Sequence, residues 1–275
     1  MDLLRLLRTA RWLSTSQIRR RFFPAATLDA ARKRLRKLAA KQYITAVRKE
    51  RLGELLFALG NEGKRLLERE SAESVALERK PPAQIEHLLG INDLRIAAEL
   101  AENVAYFFAA WELPALGWKQ DVIPDAILEF RKSTVAVEFD RGSEGIRVFQ
   151  KKIAVYSRGF DGFPISAVLV VTERPTRMEA LARSITGMGV PVLFAMLARI
   201  RAEGMPALTD EREPERDAPT KDEPSLFGVS PREERSAIAS VEESGTCGHD
   251  SGASSGQTER QPSEAATRAE PNASS

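Results

Sequence analysis

The sequence predicts a mixed α/β (α+β) protein with a helical N-terminal part, a central part that mixes helices and strands, and a polar tail. Three observations support this division. The net charge changes from +11 over residues 1–80 to 0 over residues 81–202 and −9 over residues 203–275. The apolar spacing is helical at the start and alternates between helical and strand periods in the middle. Proline, serine and glutamate are frequent at the end.

Composition limits the classes of protein to which the chain can belong. Its 275 residues are 43% hydrophobic, which is enough for one or two globular domains. The longest apolar runs have the length of strands, whereas a membrane-crossing helix needs about 20 apolar residues. The N-terminus interleaves arginine with leucine and does not resemble a secretory signal. We therefore expect a cytoplasmic protein with no membrane partner.

The first 70 residues predict three helices followed by a hairpin. A helix from Asp2 to Ala10 precedes a second helix that is capped by Ser14, Thr15 or Ser16 and stopped by Pro24. This order, with the hairpin as the wing, is that of a winged helix-turn-helix. The remaining predicted elements are the second helix itself at 17–23, a third helix at 28–41, strands at 45–47 and 55–59, and a closing helix around Leu66 and Leu67.

The third predicted helix is apolar on one face, where Leu28, Ala31, Leu35 and Leu38 fall, and basic on the others. Such a helix is typical of one that enters the major groove, so double-stranded DNA is the predicted partner. The alternative is a basic helical bundle whose charges are only solvated. The predicted contacts are Arg32, Lys33 and Arg36 to base edges, Arg34, Lys37 and Lys41 to phosphate, and Arg48, Lys49 and Arg51 of the wing to the flanking backbone.

Two segments without regular periodicity separate and end the predicted domains. Residues 71–84 are polar and contain Pro81-Pro82, which predicts a linker between a domain at 1–70 and one at 85–202. Residues 203–275 have too little apolar surface to offset the entropy of ordering, which predicts a disordered acidic tail. Its acidic residues either fold back weakly over the basic head or only keep the protein soluble.

The middle part predicts the order α-β-β-β-α-β-α-β. No glycine-rich phosphate loop follows any of the predicted strands, so we expect no nucleotide cofactor. The single cysteine, Cys247, is compatible with neither a disulfide framework nor a zinc site. The predicted elements are a long helix at 85–111, strands at 118–122, 123–130 and 134–140, a helix at 144–157, a strand at 165–172, a helix at 177–186 and a strand at 190–197.

Acidic residues in the predicted strands indicate a candidate site. Period-two alternation places Glu138 and Asp140 on the face of the strand at 134–140 opposite to its apolar residues. Asp125 lies in the preceding strand and joins them if the two strands form a hairpin. Clustered carboxylates are the ligands that Mg²⁺ or Mn²⁺ prefers, so Asp125, Glu138 and Asp140 are predicted metal ligands.

The same residues resemble the PD-(D/E)xK nuclease core, which implies a restriction-endonuclease-like α-β-β-β-α-β domain. Pro124-Asp125 and Glu138 fit the motif, but Asp140 stands where the motif has its lysine. Some members of that superfamily move the lysine to the next helix, where Lys152 is a better candidate than Lys151 because it lies at the edge of the apolar face. The resemblance implies that Asp125 and Glu138 bind the metal, that Asp140 is a ligand or base, and that Lys152 positions the phosphate or the attacking water.

Over residues 1–200 the chain also resembles the replication-relaxation family of bacterial plasmids and integrative elements. This resemblance implies a DNA-associated role in replication or relaxation. His87 and Asn92 are expected to be scaffolding more than catalytic groups. The residues that carry the resemblance are Leu59-Gly60-Asn61-Glu62-Gly63, His87, Asn92-Asp93-Leu94-Arg95, Trp111-Glu112, Pro124-Asp125-Ala126, Val137-Glu138-Phe139-Asp140-Arg141-Gly142, Lys152-Ile153 and Tyr156.

Two functions remain open at this level. One is a metal-dependent DNA nickase or nuclease of a mobile element. The other is a non-catalytic winged-helix regulator or replication accessory factor, whose second domain serves dimerisation or partner docking. In that case Asp125, Glu138, Asp140 and Lys152 are a salt-bridged remnant of a nuclease fold that now only binds. A homodimer is compatible with both.

Overall fold

The computed structural model describes residues 1–72, 74–160, 164–185, 187 and 189–205. Within these residues the chain forms helices and two sheets, which confirms the mixed α/β class. Only residues 203–205 of the predicted acidic tail are described. Glu203 is the last residue of a helix, and Gly204 is its C-cap. The rest of the predicted tail lies outside the described residues. In the described part of the chain, no helix combines the length and the apolar character that a membrane span requires.

The N-terminal head, residues 1–71, follows the predicted order closely. Its short first strand, which the periodicity did not indicate, pairs with the last strand of the hairpin, so that the antiparallel sheet has the order β1-β3-β2. The elements are α1 (Asp2–Ala10), β1 (Leu13–Ser14), α2 (Thr15–Phe22), α3 (Leu28–Ala40), β2 (Ile44–Lys49), β3 (Glu54–Leu59) and α4 (Asn61–Ser71).

Local side-chain hydrogen bonds define the helix ends of the head. The Ser14 hydroxyl accepts from the Gln17 backbone N–H, and the Gln17 side chain accepts from the Ser14 N–H, so that a capping box starts α2. Thr27 caps α3 by accepting from the Ala30 N–H at 3.2 Å. The hairpin turns at Gly53, whose φ of +66° is a conformation that glycine adopts without strain.

The second part contains a five-stranded sheet between two helical layers. Strands β4, β5 and β6 are antiparallel, and β6, β7 and β8 are parallel, in the order β4-β5-β6-β7-β8. Helices α5 and α8 cover one face, and α6 and α7 cover the other. The elements are α5 (Ile85–Leu100), β4 (Tyr106–Ala109), β5 (Ala126–Glu129), β6 (Thr134–Asp140), α6 (Ile146–Arg158), β7 (Ala167–Thr172), α7 (Pro175–Ser184), β8 (Val192–Met196) and α8 (Leu197–Glu203).

Two sequence predictions in this part were wrong. The long helix ends at Leu100 instead of continuing to Trp111, because the aromatic residues of 106–109 pair with β5 as a strand. The strand predicted at 118–122 is irregular backbone. Trp118 is buried there because its ring packs on Phe160 and its Nε1 donates to the Val122 carbonyl at 3.2 Å. The segment 118–122 is therefore held by one buried side chain, Trp118, and not by strand pairing.

Helix α5 packs against both the head and the sheet. Its Ile85, Leu88 and Leu89 share a buried cluster with Trp12 and Leu56 of the head. Its opposite side contributes Ile91 and Leu94 to the core over the sheet. Because α5 is buried on two sides, the head and the sheet layer belong to one compact unit.

Polar contacts fix the head on α5 and on the segment after β4. The Asn92 side chain donates to the carbonyls of Ala10 and Trp12 at 2.9 and 2.7 Å. The indole of Trp111 donates to the Thr9 carbonyl at 2.8 Å. The predicted linker also joins this packing, since Val75 is buried in the core of the head. The division of the chain into domains at 71–84 stays a prediction.

The carboxylate of Asp93, 2% exposed, connects three helices. One oxygen accepts from the Gln17 amide at 2.9 Å and from Arg20 at 2.5 Å, both on α2. The other oxygen accepts from Arg201 of α8 at 2.6 Å. A buried carboxylate needs such partners, because an unpaired charge in the interior is costly. Asp93 thus joins α2, α5 and α8 through a single side chain.

Candidate functional site

The sheet register brings the first two predicted carboxylates together. Ala126 of β5 pairs with Val137 of β6 in the antiparallel ladder. Asp125 directly precedes β5 and Glu138 directly follows Val137, so this register places the two acids next to each other at the end of the ladder. The alternation on β6 is also as predicted, because Val135, Val137 and Phe139 belong to the core beneath α5 and the Glu138 side chain reaches α6.

Asp125 is held by α5 and by the backbone of β6. One of its oxygens lies 2.9 Å from Nε2 of His87, and the other accepts from the Phe139 N–H at 2.8 Å. Helix α5 can approach β6 this closely because residue 90 is glycine. A Cβ at this position would lie 2.0 Å from the Phe139 ring. Gly90 therefore permits the helix packing that brings His87 to Asp125.

Glu138 is 3% exposed and both of its oxygens are occupied. Lys152 of α6 donates to one at 3.0 Å, and the hydroxyl of Tyr156 donates to the other. Burial, and then the charge of Asp125, raise the pKa of Glu138 to about 7 against the opposing effects of Lys152 and Tyr156. The protonated form of this carboxyl is therefore favoured more than that of an exposed glutamate.

Lys152 bridges two acids. Its Nζ lies 3.0 Å from Glu138 and 3.1 Å from Glu144. Burial lowers the pKa of Lys152, but the two carboxylates outweigh it and hold that pKa above its ordinary value. Burial, followed by the charge of Glu138, raises the pKa of Tyr156. Lys152 is therefore a charged group and Tyr156 a protonated donor at neutral pH.

Asp140 has different partners from the other two acids. It accepts from Nε and Nη2 of Arg177 at 2.7 and 2.6 Å, and from the Gly142 N–H at 2.5 Å. Arg177 also donates to the Glu144 carbonyl at 2.6 Å. The side chain of Asp140 thus fixes the loop after β6 to α7.

The predicted metal site is not preformed in this arrangement. In the described part of the chain, no three histidine, cysteine or acidic side chains are grouped to hold an ion. An ion at Asp125 and Glu138 would compete with His87, Lys152 and Tyr156 for the same oxygens. The residues present therefore do not fit a ready Mg²⁺ or Mn²⁺ site, and the metal roles of Asp125, Glu138 and Asp140 stay predictions.

The basic face of α3 is exposed as the sequence indicated. Ala31 and Leu35 are fully buried against the head, whereas Lys33, Arg34, Arg36, Lys37 and Lys41 are exposed. Arg32 is half-buried and lies 3.3 Å from Asp29. The guanidinium of Arg34 stacks at 5.0 Å over the ring of Phe23. Among the residues that the structure describes, no acid pairs with Lys33, Arg36, Lys37 or Lys41.

The cations predicted for the wing have different surroundings. Arg48 is exposed and Lys49 is half-buried at the end of β2. Arg51 turns back to α5, where it donates to Glu86 at 2.8 Å and to the Ala83 carbonyl at 3.3 Å. The structure therefore separates Arg48 and Lys49 from Arg51, which helps to hold the hairpin on α5.

Sequence reasoning did not identify the partners of two of the acids. His87 was expected to be scaffolding; its ring contacts Asp125 and lies 5.3 Å from that of Phe139, tilted by 33°. Arg177 gave no signal, because only the tertiary fold brings α7 to the end of β6. Tyr156 lies one helical turn after Lys152, so its position on the same face of α6 was visible in the spacing.

The residues that carry the family resemblance form two groups in space. His87, Asp125, Glu138, Lys152 and Tyr156 form the cluster of acids and their partners described above. The others hold the architecture together: Asn92 and Trp111 bind the backbone of α1 and the turn after it, Asp93 joins three helices, and Arg95 pairs with Glu112.

The family model of replication-relaxation proteins matches residues 4–162, which is more than half of the chain. The matched region contains the head from residue 4 onward, α5 and the acids with their α6 partners, and it ends before β7. No curated protein and no solved structure matches the chain significantly.

Proposed function

This chain belongs to the replication-relaxation family, and from this premise we propose that it binds duplex DNA as a replication accessory protein of a bacterial plasmid or mobile element. The head makes the contact in this proposal. Helix α3 enters the major groove as in a winged helix-turn-helix, and the β2–β3 hairpin lies along the adjacent backbone.

The exposed cations of α3 are the observation that carries this proposal. Lys33, Arg36 and Lys37 of α3 and its C-cap residue Lys41 have no acidic partner among the described residues. A side chain that already has an acidic partner gains little free energy from contact with a phosphate. An unpaired cation that binds a phosphate releases a counterion from the DNA, and this release favours binding. Arg48 and Lys49 extend the positive surface onto the hairpin.

A salt titration tests DNA binding by the head. Replacing Arg36 and Lys41 together with alanine is expected to weaken duplex binding and to reduce the slope of log K against log salt by about 1 for each lost phosphate contact. Fluorescence anisotropy with a labelled duplex measures both. The matched control is Arg69→Ala, which removes an exposed cation from α4. Equal slopes for the two variants would contradict the proposed interface.

A second candidate function, a metal-dependent DNA nickase or nuclease, is supported by the convergence of Asp125, Glu138 and Lys152. The strand order around them, three antiparallel strands followed by a parallel one across α6, is also that of the nuclease core which the sequence resembles. Mg²⁺ or Mn²⁺ is the proposed ion. Asp125 and Glu138 would hold it only if His87, Lys152 and Tyr156 gave up their contacts with these carboxylates.

Plasmid nicking distinguishes the two candidates. If the second is correct, supercoiled plasmid incubated with the protein and Mg²⁺ or Mn²⁺ becomes nicked, and Asp125→Ala or Glu138→Ala reduces the rate at least 100-fold, as loss of a group that stabilises the transition state does. Lys152→Ala is expected to do the same. Lys151→Ala, next to it but exposed on α6, serves as the matched control. Plasmid that stays supercoiled at high protein concentration leaves only the accessory role.

A further inference from the structure

The burial of α3 defines which of its side chains face away from the head. Ala31 and Leu35 are 0% exposed and mark the inward direction. Since successive residues of an α-helix are rotated by about 100°, Lys33 and Lys37 lie within about 40° of the opposite direction. Both side chains are exposed. They are the cations at the centre of the outer face of α3.

Arg32 and Arg34 lie on the sides of α3 and not at the centre of its outer face. Arg32 and Arg34 each lie about 100° from the outward direction. Arg32 is paired with Asp29 at 3.3 Å, and Arg34 stacks on Phe23 at 5.0 Å. These contacts place both guanidinium groups at the sides of the helix, where the DNA backbone would pass if α3 lay in a groove. Arg32 was predicted to contact a base edge, and its position in the structure favours a flanking contact.

Small residues precede and follow the two lysines along the outer face. Ala30 lies three residues before Lys33 and Ala40 three residues after Lys37, and both are exposed. Their short side chains leave the helix free to approach the floor of a groove. A lysine ammonium has donors only. In the major groove it therefore selects a base that presents acceptors, and guanine, with O6 and N7, is the base that presents two.

We propose that Lys33 and Lys37 read two guanines in the major groove, each by donating to O6 and N7. This inference rests on the proposed DNA binding of the head. The lysines are four residues apart, about 6 Å along the helix. Because neighbouring bases of a strand are separated by about 3.4 Å, the two guanines lie about two base-pair steps apart. Arg36 and Lys41 lie further from the centre of the face and contact phosphate in this proposal. It therefore exchanges two of the sequence assignments, since Arg36 was predicted at a base edge and Lys37 at phosphate.

Guanine analogues test the assignment on the full chain. The best-bound duplex is first selected from a random library, and each of its guanines is then replaced by 7-deazaguanine, which lacks the N7 acceptor. At two guanines, about two steps apart, the replacement is expected to weaken binding at least about fivefold. Lys33→Ala is expected to abolish the effect at one of them and Lys37→Ala at the other. Arg32→Ala serves as the control and keeps both effects.

Each outcome has a defined meaning. If no duplex is bound, the proposed function and this inference both fail. If the duplex is bound but every 7-deazaguanine is tolerated, DNA binding stands and the guanine reading is wrong. If the effects persist in Lys33→Ala and Lys37→Ala but disappear in Arg32→Ala or Arg36→Ala, arginine reads the guanines and the assignment to lysine is overturned.

Discussion

Replacing Trp12 with alanine is expected to lower the free energy of unfolding by about 3–5 kcal/mol. The side chain is 0% exposed and lies between the head and α5, in a cluster with Leu56, Ala58 and Ile85. Its removal leaves a cavity at the contact between the two layers, which the backbone of β1 and α5 cannot fill without breaking the Asn92 hydrogen bonds. Urea denaturation followed by circular dichroism measures the loss.

The variant Trp12→Phe separates the effect of the lost side-chain volume from the effect of the buried indole N–H. Among the described residues, the indole Nε1 of Trp12 has no hydrogen-bond partner although it is buried. Trp12→Phe removes this unsatisfied donor and keeps most of the ring, so we expect it to cost much less than Trp12→Ala. A phenylalanine variant as unstable as the alanine variant would show that the nitrogen is bonded.

The second large effect is expected at Asp93. Replacing Arg20 and Arg201 together with methionine should destabilise the protein by about 3–5 kcal/mol, because a carboxylate that is 2% exposed then keeps only the Gln17 amide as a partner. Each single substitution is expected to cost less, since the other arginine remains. Adding Asp93→Asn to the double variant removes the unpaired charge and should restore part of the stability.

An exposed ion pair of the same two helices provides the comparison. Arg21 of α2 and Glu99 of α5 lie 3.1 Å apart, and each side chain is about 30% exposed. Arg21→Met should cost less than about 1 kcal/mol, as pairs near the surface do. If the Arg20 and Arg201 double variant were no less stable than Arg21→Met, Asp93 would not be an energetic link between α2, α5 and α8. Thermal or urea unfolding of the variants at one pH decides this.

Local patterns in the sequence predicted most of the elements and part of the site. Helix α1 and strand β6 have the predicted boundaries, because an amphipathic helix and an alternating strand leave clear periods. Alternation also placed Glu138 on the polar side of β6, and the apolar spacing of α6 selected Lys152 over Lys151. In the structure, Nζ of Lys152 lies 3.0 Å from a carboxylate oxygen of Glu138.

Long-range packing explains what the sequence did not predict. The strand at Tyr106–Ala109 follows α5 after only five residues, 101–105, and its pairing with β5 is what makes it a strand. Strand alternation placed Asp140 with the other acids, but in the structure its carboxylate binds Arg177 of α7, a helix that starts 35 residues later in the chain. Arg51 is basic and lies at the hairpin, yet Glu86 of α5 binds it. Each of these contacts depends on tertiary neighbours that no local window contains.

The burial of α5 on two sides also bears on how the chain would respond to proteolysis. A cut between residues 74 and 84 breaks the covalent connection, but it leaves the Trp12 cluster, the Asn92 hydrogen bonds and the Asp93 ion pairs intact. The two fragments would remain associated under native conditions and separate only in denaturant. A head produced without α5, in contrast, would expose Trp12 and Leu56 to water and tend to aggregate.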